Sequence, residues 1–341
     1  MVRLATLSLI VFSLLFAGFI SSLHAQNHVA INVNSADSDF DYQGEFEGSI
    51  ISSGDNWKEI GLQVIARGGG KFDATLYSAG LPGTKKTPNI RFDLSGKREE
   101  DVLVLKNDNF MIMVEPVMAL VYTAIGNPLG QIQKVHRVSP TIGAASPVGS
   151  EVLFNGMHTR NFEKGAMAAD RTLKQGTLFK KLYSDFTIHL EFKTPYQPYE
   201  HEQKRGNSGL YILSRYEIQI LDSFGLTPKY NHCGSLYKTK SPDVNMCLPP
   251  LSWQTYDIVF KSPQFDSNAN KTVDANISVW HNGICIHRNL AIPNKTGAGK
   301  PEAPFPLPIK LQDHHNPVRF RNIWIIDQSM PIGDIMDLPK S

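Results

Sequence analysis

The chain has 341 residues, 41 % of them apolar, with a formal net charge of +2, 26 glycines and 21 prolines. That length holds two domains or one large sandwich, and the apolar fraction suffices for a sizeable core. The near-neutral charge, with no basic run interleaved with aromatics, argues against a nucleic-acid partner, and the glycines and prolines suit the many turns of an all-β protein.

Residues 1–25 read as a secretory signal: Arg3, an apolar run from Leu4 to Ile20, and Leu23-His24-Ala25 as a small-residue cleavage site. A secreted or periplasmic location is therefore expected. No other segment approaches the roughly 18 apolar residues of a membrane span, so no membrane association is expected once the leader is removed. Residues 26–39 are polar and expected to be flexible. Residues 40–138 are expected to form a small β-rich domain. In it, Leu62–Ala66 and Phe72–Tyr77 read as strands joined by a hairpin at Arg67-Gly-Gly-Gly-Lys71. A phosphate loop would open a helix, and here strand pattern lies on both sides. Asp101–Leu105 and Phe110–Val114 read as another pair of strands, while Tyr122–Arg137 fits loop or strand. Residues 139–150, rich in Ser, Gly, Pro and Ala, read as a linker.

A second domain is expected over 151–341. Asp185–Phe192 alternates apolar and polar residues, Tyr256–Phe260 and Val318–Ile326 read as strands, and His281-Asn282-Gly283 signals a hairpin. Many short alternating strands without a long amphipathic helix predict two packed antiparallel sheets. Cys233 and Cys247 bracket one loop and are expected to pair as a disulfide, leaving Cys285 over as a buried thiol.

Asn207–Gly225 carries the densest information. It reads as two strands around a polar turn at Ser214-Arg215. In the second strand Tyr216, Ile218 and Ile220 share one face, and Glu217, Gln219 and Leu221 the other. Glu217 and Gln219 then stand roughly 7 Å apart. Two readings stand: a polar patch that binds hydroxyls or works as acid and base, or the solvated outer face of an edge strand. Asp222 joins that patch only if the strand bends after Leu221. Gln312-Asp313-His314-His315 is a metal or general-base candidate, or a polar loop capping a sheet. His189 and Glu191 form a third pair and read as surface. Lys238 and Tyr237 lie in the long loop 230–250, a length that often marks a functional lid.

Seven ordered pieces resemble the 3-keto-disaccharide hydrolase family: Val152-Leu-Phe-Asn-Gly156, Asp185–Phe192, Asn207-Ser-Gly-Leu-Tyr211, Tyr216–Asp222, Trp253-Gln-Thr-Tyr-Asp257, Asn282-Gly283, and Leu311-Gln-Asp-His314 before Phe320-Arg-Asn-Ile-Trp324. Residues 244–256 and the region upstream resemble a planctomycete-like subgroup whose members carry a similar N-terminal β unit. The resemblance implies a concanavalin A-like jelly-roll β-sandwich, and an enzyme that cleaves 3-keto-glycosides or 3-keto-disaccharides by removing the C2 proton, eliminating the C1 substituent and hydrating the product. A carbohydrate substrate follows, together with a divalent metal ion as the candidate cofactor. On that basis Glu217 is the first choice as catalytic or metal-binding carboxylate, and His314 and Asp222 are further catalytic candidates, with His314 the other metal candidate. Asn207, Gln219, Lys238, Gln312 and Asp313 are the expected substrate-binding residues. His315 replaces the family's Gly after His314. The alternatives are a non-catalytic, lectin-like module and an interaction domain of a surface complex, since fold alone does not decide between them.

Overall fold

The computed structural model describes residues 28–53, 56–84 and 90–328; the leader expected over residues 1–25 lies outside them. The described residues are strands joined by turns and short 3-10 segments, with no α-helix among them.

Eight antiparallel strands close a barrel: β1 (Gly44–Ser53), β2 (Asn56–Ala66), β3 (Lys71–Tyr77), β4 (Arg91–Glu99), β5 (Val102–Lys106), β6 (Phe110–Val114), β7 (Met118–Thr123) and β8 (Pro128–Val135), with β8 returning to pair with β1. Closure leaves no free sheet edge. Alternate residues point inward, so Leu103 and Leu105, Ile112 and Val114, and Ala119 and Val121 are fully buried beside Phe46, Leu62 and Phe72. Fully burying such a side chain contributes about 1.5–3 kcal/mol. The triple glycine is the β2–β3 hairpin: Arg67 N–H donates to Lys71 O, and Gly68, Gly69 and Gly70 all have positive φ. Residues 122–137, which fit loop or strand in the sequence, include all of β8.

The rest of the chain is a two-layer sandwich. One sheet has the order β10 (Phe162–Glu163), β12 (Thr177–Phe179), β21 (Lys310–Leu311), β14 (Ser208–Ile212) and β15 (Tyr216–Ile220). The other has the order β11 (Leu173–Lys174), β22 (Arg319–Asp327), β13 (Phe186–Lys193), β16 (Gln254–Lys261), β19 (Ala275–His281) and β20 (Ile284–Ile292), with β9 (Glu151–Phe154) also pairing with β22. A ribbon of β17 (Gln264–Phe265) and β18 (Lys271–Val273) stands apart. The inner faces meet in one core, to which β13 gives Phe186, Ile188, Leu190 and Phe192, and β15 gives Tyr216, Ile218 and Ile220.

Barrel and sandwich exchange side chains. Ile65 of β2 joins the sandwich core, and Tyr196 of the sandwich joins the barrel core. Residues 28–39, expected to be flexible, are held in place: Ala30 bridges to Tyr196, whose hydroxyl donates to Asp37 at 2.8 Å. Buried partners for these polar groups are what order the segment. The segment 139–150 is likewise fastened along the β13–β16 face. There Thr141 donates to Asp257 at 2.7 Å, and Gly143 N–H to Glu191 at 2.6 Å. Cys233 and Cys247 are neighbours but free thiols, a correction to the expected disulfide. Each sulfur has its own oxygen partner: Tyr256 OH at 3.3 Å for Cys233, and Leu221 O at 3.5 Å for Cys247.

Candidate active site

The β14–β15 hairpin builds the site. Its loop is Leu213-Ser214-Arg215, and the register sets Tyr211 opposite Glu217 and Gly209 opposite Gln219. Strand alternation sends Tyr216, Ile218 and Ile220 into the core and turns Glu217, Gln219 and Tyr211 to the other face. On the adjoining β21, Lys310 pairs with Tyr211, and Gln312 N–H donates to Gly209 O at 2.9 Å, so Lys310 and Gln312 share that face.

The free edge of β15 is taken by the loop after Lys229. Gln219 N–H donates to Ser235 O at 3.0 Å, and Tyr237 N–H donates to Glu217 O at 3.0 Å. These bonds bring Tyr237 and Lys238 beside Glu217. On the same edge Thr296 Oγ1 accepts from Glu217 N–H at 2.7 Å. The outer sheet face is therefore covered, and Glu217 is only 2 % exposed.

Burial raises the Glu217 carboxyl from 4.5 to about 7, against the opposing pull of a hydrogen bond from Tyr211 and the charges of Lys310 and Lys238. Its Oε2 has no hydrogen-bond partner, and neither does the buried Oε1 of Gln312. Glu217 Oε1 and Gln312 Oε1 lie over Gly209: a Cβ there would stand 2.5 Å and 3.2 Å from them, so a side chain at this position would displace the carboxyl. The Gln219 amide is satisfied with its nitrogen donating to Ser208 O at 2.8 Å and to Glu217 Oε1 at 3.1 Å. Asn207 is anchored by donating to Gln203 O at 2.7 Å.

The structure thus groups Glu217, Gln219, Asn207 and Gln312, with Lys238 exposed at the margin, its ammonium 5.5 Å from the Tyr237 ring. It separates the other candidates. Asp222 lies beyond the end of β15 and pairs with Arg205 at 2.6 Å; Arg205 also donates to Ala66 O of the barrel at 3.1 Å. Asp222 is therefore a joint between sandwich and barrel. Asp313 and His314 are exposed; Asp313 accepts from His315 N–H at 2.9 Å, and the His314 ring lies 6.5 Å from that of His315. The groups acting on the Glu217 carboxyl do not include His314. Among the described residues no three or more His, Cys, Asp or Glu side chains are arranged to hold a metal ion. Glu217 is buried and His314 is exposed, so the structure does not bring these two metal candidates together.

His189 and Glu191, expected at the surface, lie buried beneath residues 139–150. His189 Nδ1 meets Asp257 at 2.6 Å, Glu191 accepts from Arg321 at 2.6 Å and from Asn322 at 2.9 Å, and the Trp324 ring stacks on His189 at 5.1 Å. With its carboxylates so fully bonded, this cluster fastens the segment 139–150.

Sequence reasoning missed Tyr211, Lys310, Gly209 and Gln203. Tyr211 was within reach, because alternation places every second residue of β14 on the face of Glu217.

Residues 149–326, a little over half of the chain, match the family model described as the 3-keto-alpha-glucoside-1,2-lyase-like domain. The chain belongs to this 3-keto-disaccharide hydrolase family. The matched region of this family member contains the whole Glu217 cluster. Similar solved structures include three proteins of Parabacteroides distasonis ATCC 8503, each provisionally described as a glycosyl hydrolase. One is 28 % identical, over 53 % of this chain and 85 % of its own, with a TM-score of 0.48. A second is 18 % identical, over 52 % and 94 %, with a TM-score of 0.38. A third is 20 % identical, over 52 % and 98 %, with a TM-score of 0.36. No curated protein matches the chain.

Proposed function

We propose that this family member cleaves glycosides already oxidised to a ketone at C3 of the sugar, and that it acts after export. The family supports the substrate class, and the pattern of residues 1–25 supports export. The observation that carries the chemistry is Glu217, a buried carboxyl poised at about 7 with one oxygen free of any partner. A general base is most effective when its pKa lies near the working pH.

A C3 ketone acidifies the C2 proton. Glu217 takes that proton, and the C2–H electron pair passes toward the ketone as an enolate. The enolate returns to the ketone as the C1–O bond breaks, leaving a C1=C2 enone. The departing oxygen takes up the proton that Glu217 accepted. Water then adds at C1, C2 is reprotonated, and the sum is hydrolysis to a 3-keto sugar and a free hydroxyl. Lys310 and Lys238 favour the negative charge that develops on the way. Gln219, Asn207 and Gln312 supply amides for sugar hydroxyls and the keto oxygen. Since Glu217 is 2 % exposed, a sugar reaches it only when Tyr237 and Lys238 lift away.

The test is turnover of a 3-keto-glucoside by the full chain, followed as release of the aglycone. Wild type is expected to release it, and Glu217→Gln to slow release by about 10²–10⁴. Saturable sugar binding with no product would end the enzymatic reading in favour of a lectin-like sandwich, and unchanged turnover in Glu217→Gln would remove Glu217 from the mechanism.

A further inference from the structure

The loop that joins β14 to β15 carries a cation that the chemistry at Glu217 does not use. Arg215 reads as part of a polar turn in the sequence, and it is 1 % exposed. Its Nε donates to Pro301 O at 2.8 Å and its Nη1 to Phe305 O at 2.9 Å, while the Phe305 ring lies 5.7 Å from the guanidinium. These neutral oxygens orient the group without balancing its charge. The carboxylate it senses, Glu302, is already occupied by Lys271 at 2.7 Å and the Tyr216 hydroxyl at 2.5 Å. No salt bridge to Arg215 exists among the described residues. A buried, unpaired charge is costly, and this one is retained.

Two donors beside it are left over. Nη2 of Arg215 and Oγ of Ser262 are both buried without a partner. Both residues line one cavity of about 160 Å³, walled by Pro263, Pro304 and Pro306 and bordered by Phe305, which is 57 % exposed. That volume equals about five liquid waters, enough for a small carboxylate group.

We propose that this cavity is a carboxylate-binding site, separate from the Glu217 site. The donor set selects the ligand. The Nη2 amino group, with two N–H donors, and one hydroxyl can meet the two oxygens of a carboxylate. One positive charge balances one negative charge. The proline walls have no N–H to offer and Arg215 is the one cation among the described residues lining the cavity, so the second charge of a phosphate would go unmet. The carboxylate belongs either to a small free acid or to an acidic sugar whose ring rests in the mouth against Phe305.

Thermal unfolding of the full chain tests this, with sodium acetate, sodium glucuronate and sodium phosphate compared with sodium chloride at equal ionic strength. A ligand that binds only the folded state raises Tm saturably. A saturable rise with acetate is expected. A rise with glucuronate too identifies the source as an acidic sugar, and a rise with acetate alone identifies a small free acid. Ser262→Ala, which removes one donor and leaves the guanidinium in place, is expected to weaken the acetate response about tenfold. Arg215→Lys is expected to abolish it, and if that variant does not fold, Ser262→Ala still decides. Glu217→Gln is expected to leave the response intact. The proposal fails if neither carboxylate acts beyond chloride, if phosphate acts more strongly than both, if Ser262→Ala responds like wild type, or if Glu217→Gln removes the response.

Discussion

Removing the Tyr211 hydroxyl perturbs Glu217 without touching its carboxyl. In the wild type burial lifts the carboxyl to about 7, and the Tyr211 hydrogen bond, Lys310 and Lys238 restrain that rise. A hydrogen bond to a charged group contributes about 1.5–3 kcal/mol, and 1.36 kcal/mol is one pKa unit. Tyr211→Phe should therefore raise the carboxyl by a further one to two units, roughly. A base works when ionised, so kcat/KM should climb with pH through a midpoint near 7 in wild type and through one displaced to alkaline pH in Tyr211→Phe, with the plateau kept. The assay is kcat/KM for a 3-keto-glucoside from pH 5 to 10. An unmoved midpoint, or one displaced to acid, would refute the reasoning. Stability provides a second reading. A raised folded-state pKa means that the folded chain binds this proton more tightly than the unfolded chain. The associated stability is fully present below 4.5 and is lost as pH rises through about 7. The rise from 4.5 to about 7 corresponds to about 3 kcal/mol. Glu217→Gln cannot ionise, so in urea titrations it should gain on wild type by up to that amount above pH 7 and match it near pH 4.

Asp222→Asn leaves the buried Arg205 guanidinium without its carboxylate, and should cost about 3–5 kcal/mol in urea denaturation while the folded fraction keeps its kcat. Gly209→Ala places a methyl 2.5 Å from Glu217 Oε1 and displaces the carboxyl; kcat should fall by about 10² with little change in the far-ultraviolet circular dichroism. At Glu191 burial opposes the charge, but hydrogen bonds from His189, Asn322 and Arg321 outweigh it and hold the carboxyl near 2. Its contribution is present above 4.5 and lost as pH falls through about 2, so the stability gap between wild type and Glu191→Gln should close over that range.

Alternation made much of this molecule legible. The β13 and β15 faces were readable residue by residue, because apolar positions two apart need a common core. The strands β9 to β12 and β21 were not, since segments of two to four residues show no period. The barrel's closure depends on β8 meeting β1 across about 80 residues of chain, a pairing that no local pattern encodes. Tyr211 was missed through a single residue of register. Reading Ser214-Arg215 as a two-residue turn sets Glu217 opposite Ile212. The observed loop includes Leu213, with positive φ at Leu213 and Ser214, and this sets Glu217 opposite Tyr211 instead. The burial of Arg215 was not legible for a related reason: the segment 296–308 that buries it is distant in sequence, with Thr296 N–H donating to Arg215 O and Lys300 N–H to Ser214 O.

Glu217 and Asp222 are five residues apart and equally buried, at 2 % and 3 % exposure, yet they serve opposite ends. The difference begins where β15 ends. Up to Ile220 the strand fixes each side chain to one face, and Glu217 must point where the sheet points it, toward a tyrosine hydroxyl, amides and two ammonium groups that restrain its pKa without forming an ion pair with it. Past Ile220 the backbone is free to turn. Asp222 N–H donates to Arg205 O at 3.1 Å, and the side chain meets the Arg205 guanidinium at 2.6 Å. A carboxylate matched by a guanidinium is held in place, and through Arg205 it ties the sandwich to the barrel. A carboxyl denied that match has its pKa raised into the neutral range, where its ionised form is a stronger base than an ordinary carboxylate, as the proposed proton transfer requires.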